Sequence, residues 1–295
     1  MHESNQGTSF NSYVTIVLLD KTMATKELKL GRMELTLLFT LEKEEKSVFK
    51  IEDARRILKS SPASVKNVLY RLRNKRRVEE IERGKYLLIP AKSGIEGKWA
   101  ETPFLIASEL VQPYYIGFWS ALNYWGMTEQ VPNVTYIITT KRKKRKELRY
   151  GPINFEFITL SKKRFFGITE EKIEGRTFNI SSKEKTVVDC LLYPQYCGGI
   201  DEVIKGIWEV QSELDFEKVL GYSKKVDVNV VTRRIGYILE MLGIKTEMTE
   251  KIAKANPKGF MWLDPIGPKK ILDYSKKYGL ILNRTKKDMT SWMGY

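Results

Sequence analysis

Histidine is almost missing from this chain: His2 is the only one among 295 residues. Ser-His-Asp triads, Cys-His dyads and His-ligated zinc or iron are thereby excluded, and most hydrolase chemistry goes with them. Cysteine is nearly as scarce. Cys190 and Cys197 have no second pair beside them, so they make neither a zinc knuckle nor a disulfide framework and read as reduced core thiols of a cytosolic protein. Long apolar runs are lacking too: a membrane helix needs roughly 18 consecutive apolar residues, whereas Tyr13 to Leu19 is short and contains Thr15. The leading residues His2, Glu3 and Asn5 are not the basic start of a secretory signal. A cytoplasmic location, with no membrane partner, is the expectation. No internal repeat is visible, which removes solenoids and propellers. Gly-Ser followed by paired aspartates is absent, as is a glycine-lysine phosphate loop; Asp215-Phe216-Glu217 is a lone acidic pair. The chain therefore reads as a non-enzyme that needs no metal and no cofactor.

Positive charge is what the sequence has in excess. Lys and Arg number 51 against 36 Asp and Glu, a formal net charge of +15, which points to a polyanionic partner. At 42% hydrophobic and 11% aromatic the chain can bury real cores, and its length suits two folded domains.

The expected organisation is an N-terminal extension over 1–30, a winged helix-turn-helix over 31–90, a linker helix within 91–112 and a larger mixed domain over 113–295, an α+β chain as a whole. Leu30, Met33, Leu37, Leu38 and Leu41 fall at helical spacing, as do Ile51, Ala54, Ile57 and Leu58 after a β-like Ser47–Lys50. Ser60-Ser61-Pro62 then offers a cap and a first-turn proline for a third helix with Val65, Val68, Leu69 and Leu72 on its inner face. Val78–Ile81 and Lys85–Ile89, joined through Arg83-Gly84, read as a hairpin. Three short helices followed by a hairpin are the order of a winged helix. On the outer face of the third helix, Asn67, Tyr70 and Arg71 suit base reading, since Asn pairs with adenine and Arg with guanine. Ser64, Lys66, Arg73, Lys75, Arg76, Arg77, Arg83 and Lys85 surround them as candidate phosphate contacts. The bland reading of these cations is a solvated exterior; their grouping on the element that enters a groove favours duplex DNA.

Beyond a linker with Gly94 and Gly97 and an amphipathic helix from Trp99 to Leu110, an aromatic-rich helix carrying Tyr115, Phe118, Trp119, Leu122 and Trp125 is expected to stop at Gly126. Strands follow at Val134–Thr139 and Ile153–Ile158, then a hairpin over Glu171–Ile180 turning at Glu174-Gly175. Ser181 and Glu184 have capping-box spacing for the next helix. Further helices are expected at Ile200–Val210 and Val228–Leu242, and strands at Phe260–Leu263 and Leu280–Asn283. Asp189, between Val188 and Cys190, reads as a hydrogen-bonded or ion-paired structural carboxylate.

Several blocks of this second half resemble the AbiEi-like antitoxin family of abortive-infection, type IV toxin–antitoxin systems. They are Tyr114-Tyr115-Ile116, Gly126-Met127-Thr128-Glu129-Gln130-Val131-Pro132, Arg164-Phe165-Phe166-Gly167, Glu184-Lys185-Thr186-Val187-Val188-Asp189, Arg233-Arg234-Ile235-Gly236 and Leu263-Asp264-Pro265. The resemblance implies a DNA-binding winged helix joined to a C-terminal antitoxin domain, in a repressor of its own promoter that takes part in viral defence. It also implies a functional partner, a nucleotidyltransferase-like toxin opposed without a stable complex. Two winged domains on an inverted-repeat operator would be the corresponding DNA geometry.

One further run stands out: Lys141, Arg142, Lys143, Lys144, Arg145 and Lys146, then Arg149 after a single acid, Glu147. It lies between two expected strands, hence on a loop. Either it is a solvated charged loop or it is a second basic patch for nucleic acid, since charges this dense repel unless phosphates neutralise them. A structured-RNA-binding protein such as one that contacts tRNA is the alternative function, and a metal-dependent nucleotidyltransferase or nuclease the weaker one.

Overall fold

The computed structural model describes residues 14–16, 28–89, 91, 102–150, 153–173, 175–245, 247–254 and 257–293. The chain divides into two compact units, Met1–Glu101 with Tyr150–Pro152, and Thr102–Arg149 with Ile153–Tyr295. Both mix helices and strands, and the fold is α+β.

In the first unit, β1 (Val14–Ile16) pairs antiparallel with β2 (Leu28–Leu30). Leu30 is buried with the helical core, so the end of the expected extension belongs to the fold. The remainder of that extension lies largely outside the described residues. Helix α1 (Arg32–Lys43) starts after Gly31, whose N–H donates to the Glu34 carboxylate at 2.8 Å. Strand β3 (Val48–Lys50) runs directly into α2 (Ile51–Leu58), and α3 (Pro62–Asn74) follows a three-residue turn. That turn passes through Lys59 in the left-handed region at φ 46°. Strands β4 (Val78–Glu82) and β5 (Lys85–Leu88) close the unit, with β5 central in an antiparallel sheet ordered β3-β5-β4. Gly84 adopts φ +73° in the β4–β5 turn, a conformation other residues resist. Leu37 and Leu41 of α1, Ala54 of α2 and Val65, Val68 and Leu72 of α3 meet in one core. Each Leu or Val buried there contributes about 1.5–3 kcal/mol.

The second unit opens with α4 (Pro103–Leu110), shorter than the helix expected from Trp99. It packs on strands of this unit's own sheet, so it is a domain element and not a linker; residues 92–101 lie outside the described ones. Strand β6 (Tyr114–Ile116) precedes α5 (Phe118–Tyr124), so the single aromatic helix expected here is a strand and a short helix. The break has a steric cause. A Cβ on Gly117 would sit 2.5 Å from Ile138 Cδ1, so a larger residue there requires that side chain to move, and Phe118 follows at φ +54°.

Strands β7 (Val134–Thr139), β8 (Glu147–Tyr150), β9 (Ile153–Thr159), β10 (Ile168–Ile173) and β11 (Arg176–Ser181) complete a six-stranded mixed sheet, ordered β10-β11-β6-β7-β9-β8. The β10–β11 hairpin turns at Gly175, as the sequence predicts; Glu174 lies outside the described residues. Helix α6 (Lys183–Leu192) is capped one residue later than expected: Ser182, not Ser181, accepts the Lys185 N–H at 3.3 Å. Ser181 ends β11 and bonds Thr186 instead, Oγ to Oγ1 at 2.7 Å. Helices α7 (Ile200–Glu209), α8 (Phe216–Lys225), α9 (Asn229–Met241) and α10 (Glu247–Ala253) follow. A small sheet of β12 (Met261–Trp262), β13 (Asp273–Ser275) and β14 (Leu280–Leu282), then α11 (Lys286–Met289), ends the chain. The α8 helix and strands β8 and β13 had no sequence signal strong enough to place them. Among the described residues, no helix is long and apolar enough to cross a membrane.

Candidate nucleic-acid interface

Helix α3 presents two chemically distinct faces. Val65, Val68, Leu69 and Leu72 are buried, while Lys66, Asn67, Tyr70, Arg71, Arg73 and Asn74 are exposed, Tyr70 to 64%. Its start is fixed by Ser61, whose Oγ accepts the Ser64 N–H at 3.3 Å, and by Pro62 in the first turn. The β4–β5 turn is held close by, because the Ile51 N–H of α2 donates to the Gly84 carbonyl at 2.9 Å. Between them lies a groove of about 690 Å³, lined by cations Lys50, Lys66, Arg73, Arg83 and Lys85, by acids Glu52, Glu80 and Glu82, and by Tyr70 and Tyr86.

The expected base-reading residues sit together on the open side of α3. Asn67 and Tyr70 project freely, but Arg71 does not act alone. Its Nε donates to Glu34 Oε1 at 2.8 Å, and Lys75 Nζ reaches the other oxygen of the same carboxylate at 2.6 Å. Glu34 is 1% exposed. Burial pushes its carboxyl up, but the Lys75 ammonium, the Gly31 N–H and Arg71 together outweigh burial and hold it below the ordinary glutamate value. One α1 carboxylate therefore positions two cations of α3.

The expected phosphate contacts divide. Lys66 and Arg83 are exposed at the groove, Arg76 is exposed beyond the end of α3 at φ +53°, and Lys85 is half-buried in β5. Arg73 lines the groove but is paired with Glu80 at 2.9 Å. Three residues depart from expectation. Arg77 is 4% exposed, with its N–H on the Leu72 carbonyl at 2.8 Å, so it belongs to the interior. Lys75 is committed to Glu34. Ser64 is half-buried, its hydroxyl turned to Met33 Sδ at 4.0 Å and its N–H already taken by Ser61. Sequence reasoning passed over Lys50 and Glu34, since both lie on other elements and only the fold brings them to α3.

The blocks of the second unit behave as scaffold. Asp189 is 1% exposed; it accepts the buried Lys185 ammonium on Oδ1 and the Tyr115 hydroxyl on Oδ2 at 2.9 Å. This is the ion-paired structural carboxylate that its position predicts. Arg234, 3% exposed, donates to the carbonyls of Leu191 at 2.5 Å and Trp262 at 3.0 Å, and burial lowers its guanidinium to about 10. Arg233 donates to the carbonyls of Lys258 and Gly259 at 2.9 and 3.0 Å. Cys190 and Cys197 are free and buried. Among the described residues no group of His, Cys, Asp and Glu is arranged to hold a metal ion.

No family model and no curated protein matches this sequence. Among solved structures, the fold is similar to the crystal structure of RV2827C protein from Mycobacterium tuberculosis, with a TM-score of 0.64 over 90% of this chain and 96% of that one. Identity is 13%, so the likeness is one of fold.

Proposed function

We propose that this chain is a sequence-specific duplex-DNA-binding transcriptional repressor that reads its operator through a winged helix-turn-helix, with α3 as recognition helix and the β4–β5 hairpin as wing. The observation that carries the reading is the outer face of α3, where Asn67, Tyr70 and Arg71 stand exposed beside a groove bordered by Lys50, Lys66 and Arg83. The order α1-β3-α2-α3-β4-β5 supports it, because a three-residue turn between α2 and α3 and a following hairpin are the parts such a module requires. Asn67 and the Arg71 guanidinium read bases; Lys66, Arg83, Arg76 and Lys50 hold phosphates, which give affinity without sequence information. The resemblance of the C-terminal blocks to the AbiEi-like family supports a further role as cytoplasmic antitoxin to a nucleotidyltransferase-like toxin.

The test is a titration of the full chain on its upstream region and on scrambled duplex at 150 mM salt. Arg71→Ala is expected to lose about 1–3 kcal/mol on the operator and little on scrambled DNA. Arg83→Ala should weaken both alike and reduce the slope of log affinity against log salt by about 0.9. No preference of the unaltered protein for its upstream region refutes the reading. Rescue of growth when the chain is co-expressed with the toxin from the neighbouring reading frame tests the antitoxin role.

A further inference from the structure

The basic segment belongs wholly to the second unit; residues 141–146 lie in the β7–β8 connection, whereas Arg149, expected on the loop, lies in β8, and the whole is built in a way that a merely solvated loop does not require. Its two ends are tied to the sheet. The Lys141 N–H donates to Thr139 Oγ1 at 3.2 Å, Thr159 Oγ1 donates to the Lys141 carbonyl at 3.4 Å, and the Phe157 N–H donates to the Lys146 carbonyl at 2.7 Å. Lys143 lies 4.9 Å over the Phe157 ring. Pinned in this way, the segment turns Lys141, Arg142, Lys144, Arg145 and Arg149 to solvent, and among the described residues their side chains meet no acid.

Some surface cations of the unit are neutralised within the chain. Lys163 pairs with Asp227, Lys218 with Glu184 and Lys251 with Glu217, at 2.6 to 3.0 Å. Others, such as Lys162, Lys172 and Lys224, are exposed without an ion pair among the described residues, so what sets the 141–149 segment apart is density: Lys141, Arg142, Lys144, Arg145 and Arg149 stand exposed within nine residues with no acid against their side chains. Such a patch holds an anion from outside. The identity of that anion follows from what surrounds it. No large apolar side chain is exposed between Val131 and Trp208 among the described residues, so the apolar centre of a protein interface is lacking. Closely spaced cations without apolar anchors match a phosphate backbone, which binds by charge and counterion release.

We infer that the 141–149 segment is a second nucleic-acid contact, a sequence-independent phosphate clamp that acts without α3. The full chain and its K141Q/R142Q/K144Q/R145Q variant are titrated from 50 to 200 mM salt on a scrambled 30-base-pair duplex and on an RNA hairpin of similar size. Polyglutamate serves as an anion without phosphate. Among the described residues the substituted side chains are exposed and make no hydrogen bond or ion pair, so the variant should keep its melting temperature. On at least one nucleic acid the salt slope is expected to fall by about 3, so that across this range the unaltered protein loses roughly 40- to 150-fold more affinity than the variant. Whichever nucleic acid shows the larger change is the ligand. Equal slopes for both proteins on DNA and RNA overturn the inference, as does an equal loss on polyglutamate. An N67A/Y70A double substitution in α3 separates the two readings: the four clamp substitutions still lower the slope in that background even where operator preference proves to be absent.

Discussion

Replacing Glu34 tests whether one buried carboxylate both holds α1 to α3 and aims the recognition face. It accepts from the Gly31 N–H, from Arg71 and from Lys75 at 2.8, 2.8 and 2.6 Å. Loss of the bond at the helix start costs about 1 kcal/mol, the usual worth of a helix N-terminal cap. The two ion pairs add less than buried pairs do, because Arg71 and Lys75 remain 51% and 29% exposed and can return to water; about 0.5–1 kcal/mol each is the screened value. Removal also relieves the desolvation of the carboxylate, so the net expectation is about 2 kcal/mol for Glu34→Ala and about 1 kcal/mol for Glu34→Gln, which keeps an acceptor. Because the folded carboxyl titrates below its ordinary value of 4.5, its contribution is fully present above that pH and is lost as pH falls through the lower folded value. Urea unfolding at pH 7 and pH 3 should therefore show a gap between Glu34→Gln and the unaltered protein at the first pH that narrows at the second. On DNA, freeing Arg71 should lower the operator-to-scrambled ratio about tenfold, while affinity for scrambled duplex rises because Arg71 and Lys75 are no longer neutralised by the buried carboxylate. A gap of the same size at both pH values would show that packing, not charge, accounts for it. An unchanged ratio would sink the positioning role.

Two further substitutions separate structural from ligand-facing cations. Arg77→Ala should destabilise by about 1–3 kcal/mol and leave the salt slope on DNA unchanged, since the side chain is buried; a reduced slope would return Arg77 to the contact set. Lys185→Met leaves Asp189 buried with Tyr115 as its remaining hydrogen-bond partner. Burial already pushes the Asp189 carboxyl up, and without the ammonium it rises further, so the unfolded state releases its proton first as pH increases. The variant should unfold near the normal midpoint at pH 4 and fall about 3–5 kcal/mol short by pH 8, the cost of an uncompensated buried charge. A deficit independent of pH between those values would contradict an ionised Asp189.

Much of the fold was legible because its elements carry local signals. Pro62 behind Ser61, the helical spacing of Val65, Val68, Leu69 and Leu72, and the Arg83-Gly84 turn each act within a few residues, and α3, β4 and β5 lie within a residue or two of where they were expected. The failures come from non-local causes. Tyr114 to Trp125 has the aromatic periodicity of one helix, yet Tyr115 pairs with Ile138 at the centre of the sheet, and Gly117 lies close against the side chain of Ile138 on β7. Strand β8 is short, and two of its four residues, Glu147 and Arg149, are charged; it forms by taking the edge beside β9.

The candidate interface shows the same limit at the scale of single side chains. A helical wheel assigns Arg71 and Lys75 to the outside of α3 and cannot distinguish them from Lys66, because their anchor is 37 and 41 residues away on α1. Nor does spacing alone bury Arg77, which follows a left-handed residue, Arg76, that turns the chain back under α3. The count of cations overstates the charge available to a ligand wherever acids are within reach. On α3 and the wing, Glu34 and Glu80 hold three of them, leaving a mixed surface suited to selecting a partner by geometry. Among the described residues, Lys141, Arg142, Lys144, Arg145 and Arg149 meet no such acid, and a surface of that kind suits affinity without selection. Under the proposed reading, the chain would hold nucleic acid non-specifically with the second surface while the first samples sequence. That division predicts that the two sets of substitutions act additively on binding free energy.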